Sequence, residues 1–210
     1  MKPATPAAVL PGFDHVQRRW DRQNERWTAK ILPGQYFVTR NDDVITTVLG
    51  SCISACVRDP VARVGGMNHF MLPEDITNGS SSWLQPAAGL STRYGSFAME
   101  SLINDLLKLG ARRERLEIKL TGGGQILASA TDVGERNIAF ARQWLSLEGL
   151  RIVGEDVGDT FPRRVQYFPI TGRVLMFRLR SIESGAVVSR EKQYLCNLRD
   201  EQAGNDVELF

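Results

Sequence analysis

Cysteine and histidine are both scarce in this chain, and the scarcity narrows the chemistry open to it. Only 3 cysteines and 2 histidines occur in 210 residues. Cys52, Cys56 and Cys196 cannot close a disulfide framework, and Cys52 and Cys56 lack the C-x2-C spacing of zinc ribbons and redox pairs. His15 and His69 add no ligand set of obvious spacing, so no metal and no cofactor is expected. Neither sign of charge dominates: 26 Lys and Arg face 24 Asp and Glu, a net charge of +2. That balance argues against nucleic-acid binding, and the pairs Arg112-Arg113 and Arg163-Arg164 read as solvated faces. No apolar run reaches the roughly eighteen residues a membrane span needs. The first twenty residues carry three prolines and no sustained apolar stretch, so no secretory signal is expected and the reducing cytoplasm is the expected compartment.

What is present fits a soluble α+β domain. Hydrophobic residues make up 42% of the chain, enough to bury one core at this length. The predicted organisation is an extension over 1–30, a domain over 31–181 and a polar, frayed tail over 182–210. In the extension, Val16, Trp20 and Trp27 predict one stripe of a helix over about 14–30. Strands are predicted over 35–39, 44–48, 116–120, 152–153, 165–168 and 174–179, the last preceded by a turn at Thr171-Gly172. Helical periodicity runs from Ser96 to a stop at Gly110, and from about 134 to a stop at Gly149. The segment 53–57 is too short to assign as helix or strand. Residues 74–95, rich in Ser, Gly and Pro, read as a loop able to form the rim of a site.

Chemistry concentrates between Thr46 and Pro73. Cys52 follows Gly50-Ser51, a sequence suited to a tight turn, and His69 lies seventeen residues further on. A thiol and an imidazole on one short stretch can form a nucleophile–base pair. A helix after Cys52 would lower the thiol pKa and supply oxyanion donors. If 67–72 is a strand, Met67, His69 and Met71 share a face, with Asn68, Phe70 and Leu72 on the other. Cys56 reads as core. Gly122-Gly123-Gly124 follows a strand but lacks the Lys-Ser/Thr of a phosphate loop, so it marks either a close backbone approach or a substrate-side loop.

These residues together resemble the CheD family, the chemoreceptor glutamine deamidases of bacterial chemotaxis. The resemblance rests on Leu49-Gly50-Ser51-Cys52, Arg58-Asp59-Pro60, and Gly65-Gly66-Met67-Asn68-His69-Phe70-Met71-Leu72-Pro73. It continues through Arg93-Tyr94-Gly95, Gly110-Ala111, Gly122-Gly123-Gly124 and Gly134-Glu135-Arg136-Asn137 to Gly158–Arg164 and Thr171-Gly172, about residues 33–180 in all. It implies a mixed β-sandwich flanked by helices, similar to cytotoxic necrotizing factor-type cysteine hydrolases. It further implies a triad of Cys52 as nucleophile, His69 as base and Thr46 as third member; the residues alone do not separate Thr46 from Thr47. Gly50 and Ser51 are then oxyanion or site-supporting residues, and Asn68, Gly122 and Gly123 substrate-side candidates. The implied reaction is hydrolysis of receptor glutamines to glutamate, with glutamyl methylesterase activity as a companion that the same chemistry allows. The implied partners are the cytoplasmic domains of methyl-accepting chemotaxis proteins and, in some bacteria, a CheC-type phosphatase. A regulatory binding module with weak catalysis is the alternative.

Overall fold

A computed structural model describes residue 5 and residues 7–72, 90–126, 133–179 and 181–204. Among the described residues, ten strands form two five-stranded sheets, with three α-helices. The first sheet has the order β1 (Gln17–Asp21), β2 (Arg26–Lys30), β4 (Val44–Leu49), β9 (Arg163–Phe168), β10 (Arg173–Arg178). The second runs β3 (Tyr36–Thr39), β6 (Val64–Asn68), β5 (Ile53–Asp59), β7 (Glu117–Gly122), β8 (Ile152–Val157). Both are mixed, since β2–β4 and β7–β8 pair parallel and the rest antiparallel. The class is therefore α+β, as expected.

The middle of the second sheet is deeply buried. Every residue of β6 is buried, and all of β5 except Arg58. Continuous burial means that both faces are covered. Residues of the first sheet (Ala29, Ile45, Leu49, Val165, Tyr167) join one core with those of the second. Helix α1 (Leu90–Lys108) packs on β3, β5 and β6, while α2 (Val133–Leu147) packs on β5 and α1. At their crossing a Cβ on Gly95 would stand 2.5 Å from the Phe140 ring, so glycine sets the approach. Both helices end at the glycines expected to stop them: Ala111 N–H donates to Leu106 O (3.1 Å) and Leu150 N–H to Leu145 O (2.8 Å).

Four expectations need correction. The segment 14–30 is a hairpin, with Trp20 opposite Trp27 and their rings edge to face at 5.9 Å. A seven-residue spacing fits a helical stripe and a hairpin pair equally well. Asp21 decides the matter, because its carboxylate accepts from Gln23 N–H and Asn24 Nδ2 and so builds a turn. The supposed extension is thus an integral edge of the first sheet, with Phe13 and Val16 buried in the core. The polar tail is, over the described residues, a helix, α3 (Ser181–Gly204), with Val187, Glu191, Leu195 and Leu198 buried. Helix α1 begins at Leu90, so the predicted loop over 74–95 ends earlier, and most of that prediction lies outside the described residues. Arg163 is fully buried: its guanidinium donates to Asp156 and to the carbonyl of Gly158, tying β9 to the end of β8.

Asp59, buried at the end of β5, organises the far end of the sheet. It accepts from Arg115 Nε (2.9 Å) and Nη2 (2.7 Å), and from the N–H groups of Arg112 (2.9 Å), Val61 (2.8 Å) and Ala62 (3.0 Å). Burial pushes its pKa up, but Arg115 and the three N–H donors outweigh burial and bring it from 3.8 to about 2. The folded pKa lies below the unfolded one, so the stabilisation is complete above about pH 4 and is lost as pH falls toward 2. Asp59→Asn should therefore cost about 2 kcal/mol or more at neutral pH. The gap to the parent should narrow below about pH 4 and close near pH 2, as read from urea midpoints across that range.

Candidate functional site

Strand β4 ends at Leu49, and the chain turns through Gly50, Ser51 and Cys52 into β5. Cys52 therefore precedes a strand and not a helix, and helix-derived donors are ruled out. The turn supplies its own. The N–H groups of Gly50, Ser51 and Cys52 all point at one place, where the carboxylate of Glu191 on α3 accepts them at 2.8, 2.8 and 3.3 Å. The Ser51 hydroxyl adds a fourth donor at 2.6 Å.

The three carbonyls of the same turn are tied in other directions. Gly50 O accepts from Gly124 N–H (2.6 Å), Ser51 O from Asn137 Nδ2 (2.7 Å) and Cys52 O from Gly123 N–H (2.7 Å). Asn137 is itself fixed, its Oδ1 accepting Leu72 N–H at 2.8 Å. The glycine run is thus a backing for the turn. Gly122 and Gly123 have φ of +113° and +67°. A Cβ on Gly122 would stand 2.3 Å from Cys52 O, and one on Gly124 2.9 Å from Gly50 O. Gly50 is equally confined: a Cβ there would meet Ile126 Cδ1 at 2.0 Å and Glu191 Oε2 at 2.7 Å.

His69 follows β6. Ile53 and Phe70 exchange backbone hydrogen bonds across an antiparallel bridge (2.9 and 3.0 Å). Strand alternation then places Cys52 and His69 on the opposite face from Ile53 and Phe70, as diagonal neighbours. His69 Nδ1 lies 2.7 Å from Thr47 Oγ1, which also lies 2.9 Å from Ile31 O. A threonine hydroxyl carries one proton, and a carbonyl can only accept. Thr47 therefore donates to Ile31 O and accepts from Nδ1–H. The imidazole is held as the Nδ1–H tautomer, with the lone pair on Nε2. Nε2 is buried and has no hydrogen-bond partner among the described residues.

Thr46 is thereby corrected. Its hydroxyl donates to Val165 O (2.8 Å), on the other face of β4 from Thr47. Neighbouring residues in a strand point to opposite sides, and the inward set is Ile45, Thr47 and Leu49. Asn68 is also corrected: it accepts Ala55 N–H (2.8 Å) and donates to Ala98 O (3.0 Å), pinning β6 to β5 and α1 from a buried position. Gly122 and Gly123 stand behind the turn, against the carbonyl of Cys52. Cys56 is core, as expected. Thr47 is the alternative that the residues alone leave open beside Thr46, whereas nothing in the sequence points to these roles for Asn137 and Glu191. Strand periodicity could have favoured Thr47 over Thr46 had the inward face been known.

The electrostatics follow from this packing. Burial pushes the Cys52 thiol well above its ordinary pKa, and the adjacent Glu191 carboxylate pushes it further. Burial, with a smaller contribution from the Arg190 charge, lowers His69 to about 3. The unfolded chain takes up a proton here below about pH 6.5 and the folded chain does not until about 3, so this residue weakens the fold as pH falls across that window. Nitrogen-15 NMR of His69 should show Nδ1 protonated and Nε2 bare from about pH 8 down to about pH 4. An Nε2-protonated ring would contradict the Thr47 assignment.

Fold and site together describe an α+β protein built around a cysteine-bearing turn with convergent amides and an oriented, neutral imidazole. Its family follows from its likeness to known sequences. The family model for CheD, described as CheD chemotactic sensory transduction, matches residues 71–178. A probable chemoreceptor glutamine deamidase CheD of Halorhodospira halophila is 50% identical over 202 residues, covering 96% of this chain and 93% of that one. The similarly described protein of Hahella chejuensis is 46% identical over 209 residues (100% and 97%), and that of Hydrogenovibrio crunogenus 51% over 195 residues (93% and 100%). The chain belongs to the CheD family. A solved structure of a Neisseria meningitidis DUF152 protein aligns at 13% identity and a TM-score of 0.34, covering 59% of this chain and 51% of that one.

Proposed function

We propose that this chain deamidates glutamine side chains of chemoreceptors to glutamate, with release of ammonia, in the cytoplasm. Its near full-length likeness to proteins described as probable chemoreceptor glutamine deamidases supports the reaction. The convergent N–H groups of Gly50, Ser51 and Cys52 support the chemistry. Cys52 attacks the carboxamide carbon, and His69 Nε2 takes the thiol proton and delivers it to the departing ammonia. The turn amides hold the oxyanion; each such donor is worth about 3 kcal/mol in acyl transfer. Water cleaves the thioester and leaves glutamate. Thr47 holds the imidazole in the tautomer the base needs, the part the third residue of a triad plays. The expected likeness to cytotoxic necrotizing factor-type hydrolases belongs to this same reading, supported by a cysteine at the turn between two strands and a histidine diagonal to it. The same acyl chemistry would cleave a glutamyl methyl ester. A CheC-type phosphatase is a proposed partner on the strength of the family alone.

Ammonia release from a receptor cytoplasmic fragment should fall by at least about a hundredfold in Cys52→Ala and His69→Ala. Undiminished release in either would sink the assignment. Thr47→Val should lower kcat by about tenfold to a hundredfold with little change in KM, whereas Thr46→Val should stay close to the parent. The reverse pattern would restore Thr46 as the third member.

A further inference from the structure

Helix α3 sits on the site in an arrangement that the proposed reaction does not explain. Its buried residues Val187, Glu191, Leu195 and Leu198 form one stripe at helical spacing, with Tyr194 half-buried beside it. Ser189, Arg190, Lys192, Gln193, Cys196 and Asn197 on the other side are exposed. The helix therefore lays a single apolar face on the domain, with one carboxylate in the middle of that face. Tyr194 and Tyr94 of α1 meet hydroxyl to hydroxyl and fix its far side. The carboxylate is no ordinary buried anion. Oε1 accepts from Gly50 and Cys52 N–H, and Oε2 from Ser51 N–H and Oγ, all beside the nucleophilic thiol. These are the donors assigned above to the oxyanion. A glutamate side chain on them is the chemical product of glutamine deamidation, bound where that product would form.

We propose that α3 is an internal product mimic: it occupies the substrate groove in cis, with Glu191 at the position of the reacting residue. The inference rests on the deamidase reading and deepens it in two ways. The groove takes an α-helix, so the substrate is a glutamine in the middle of a helix, flanked by apolar residues four positions before and four after, as Val187 and Leu195 flank Glu191. The helix also closes the enzyme. A receptor helix must displace α3, and the apparent affinity for it is reduced by the fraction of molecules in which α3 is docked.

Glu191→Gln turns the mimic into a substrate. In that variant the Cys52 sulfur adds to Cδ of the introduced glutamine, the C–N bond breaks, and ammonia leaves with the thiol proton passed through His69. Water then adds to the thioester, the C–S bond breaks, and Glu191 and the free thiol are regenerated. Peptide mapping of purified full-length Glu191→Gln should show position 191 as glutamate, a gain of about one dalton, or a thioester between Cys52 and position 191 lacking one ammonia. The double variant Cys52→Ala, Glu191→Gln should keep its glutamine. In parallel, Glu191→Ala, which cannot anchor on the turn amides, should deamidate a receptor helical fragment at least about tenfold faster than the parent at subsaturating substrate. If the parent deamidates the fragment while the introduced glutamine persists and Glu191→Ala gives no acceleration, the product-mimic inference is overturned and the deamidase reading stands. If neither the fragment nor the introduced glutamine is converted by any variant, both fall together.

Discussion

Everything at this site depends on how three successive peptide groups are turned. The carbonyls of Gly50, Ser51 and Cys52 are each held by a different donor behind the turn: Gly124 N–H, Asn137 Nδ2 and Gly123 N–H. With the carbonyls fixed there, the three N–H groups face forward and converge. Buried backbone groups must find partners, so a segment whose acceptors are satisfied on one side presents its donors to whatever lies on the other. Gly122 and Gly124 matter because no side chain fits between the two backbones, and Gly123 because a Cβ there would strike the Ile138 side chain of α2. Asn137 matters because its amide reaches from α2 to the turn while being steadied by Leu72 N–H. None of these residues need touch a substrate; all decide where the donors point.

The second element is a proton placed by exclusion. Ile31 O can only accept, so Thr47 must donate to it, and His69 Nδ1 must then be the donor to Thr47. Burial keeps the ring neutral and Nε2 free. The thiol is held neutral as well: burial disfavours the thiolate first, and the Glu191 carboxylate beside it disfavours it further. Removal of that carboxylate lifts one cost of ionisation and frees the amide donors in the same motion.

Much of this was legible in the sequence, and the failures share a cause. Cys52, His69 and the two glycine-stopped helices follow from residue chemistry and periodicity close to each position. Thr46 and Thr47 could not be separated, because adjacent strand residues differ only in which face they present, and the inward face is set by sheet packing. Trp20 and Trp27 suggested a helical stripe because a seven-residue interval is also the distance across a short hairpin; only Asp21 and its turn contacts break the tie. The resemblance makes Asn68 a substrate-side candidate, yet it points away from His69 into contacts with β5 and α1, as alternation requires. Glu191 was hidden in a polar stretch, where a stripe of Val187, Leu195 and Leu198 gains meaning only once the groove it fills is seen. The glycine run fits two roles on sequence alone, and its backbone hydrogen bonds to the turn make it a close approach.

The central claim is that the acyl carbon of a glutamine meets the Cys52 sulfur while its oxygen rests on the turn amides. The most direct measurement is intact-mass and peptide-mapped spectrometry of an acid-quenched reaction between the full chain and a receptor helical fragment. The account predicts a covalent adduct on Cys52 equal to the fragment less one ammonia, absent from Cys52→Ala. Glutamate formation at the parent rate in Cys52→Ala, or an adduct confined to Cys56 or Cys196, would contradict it.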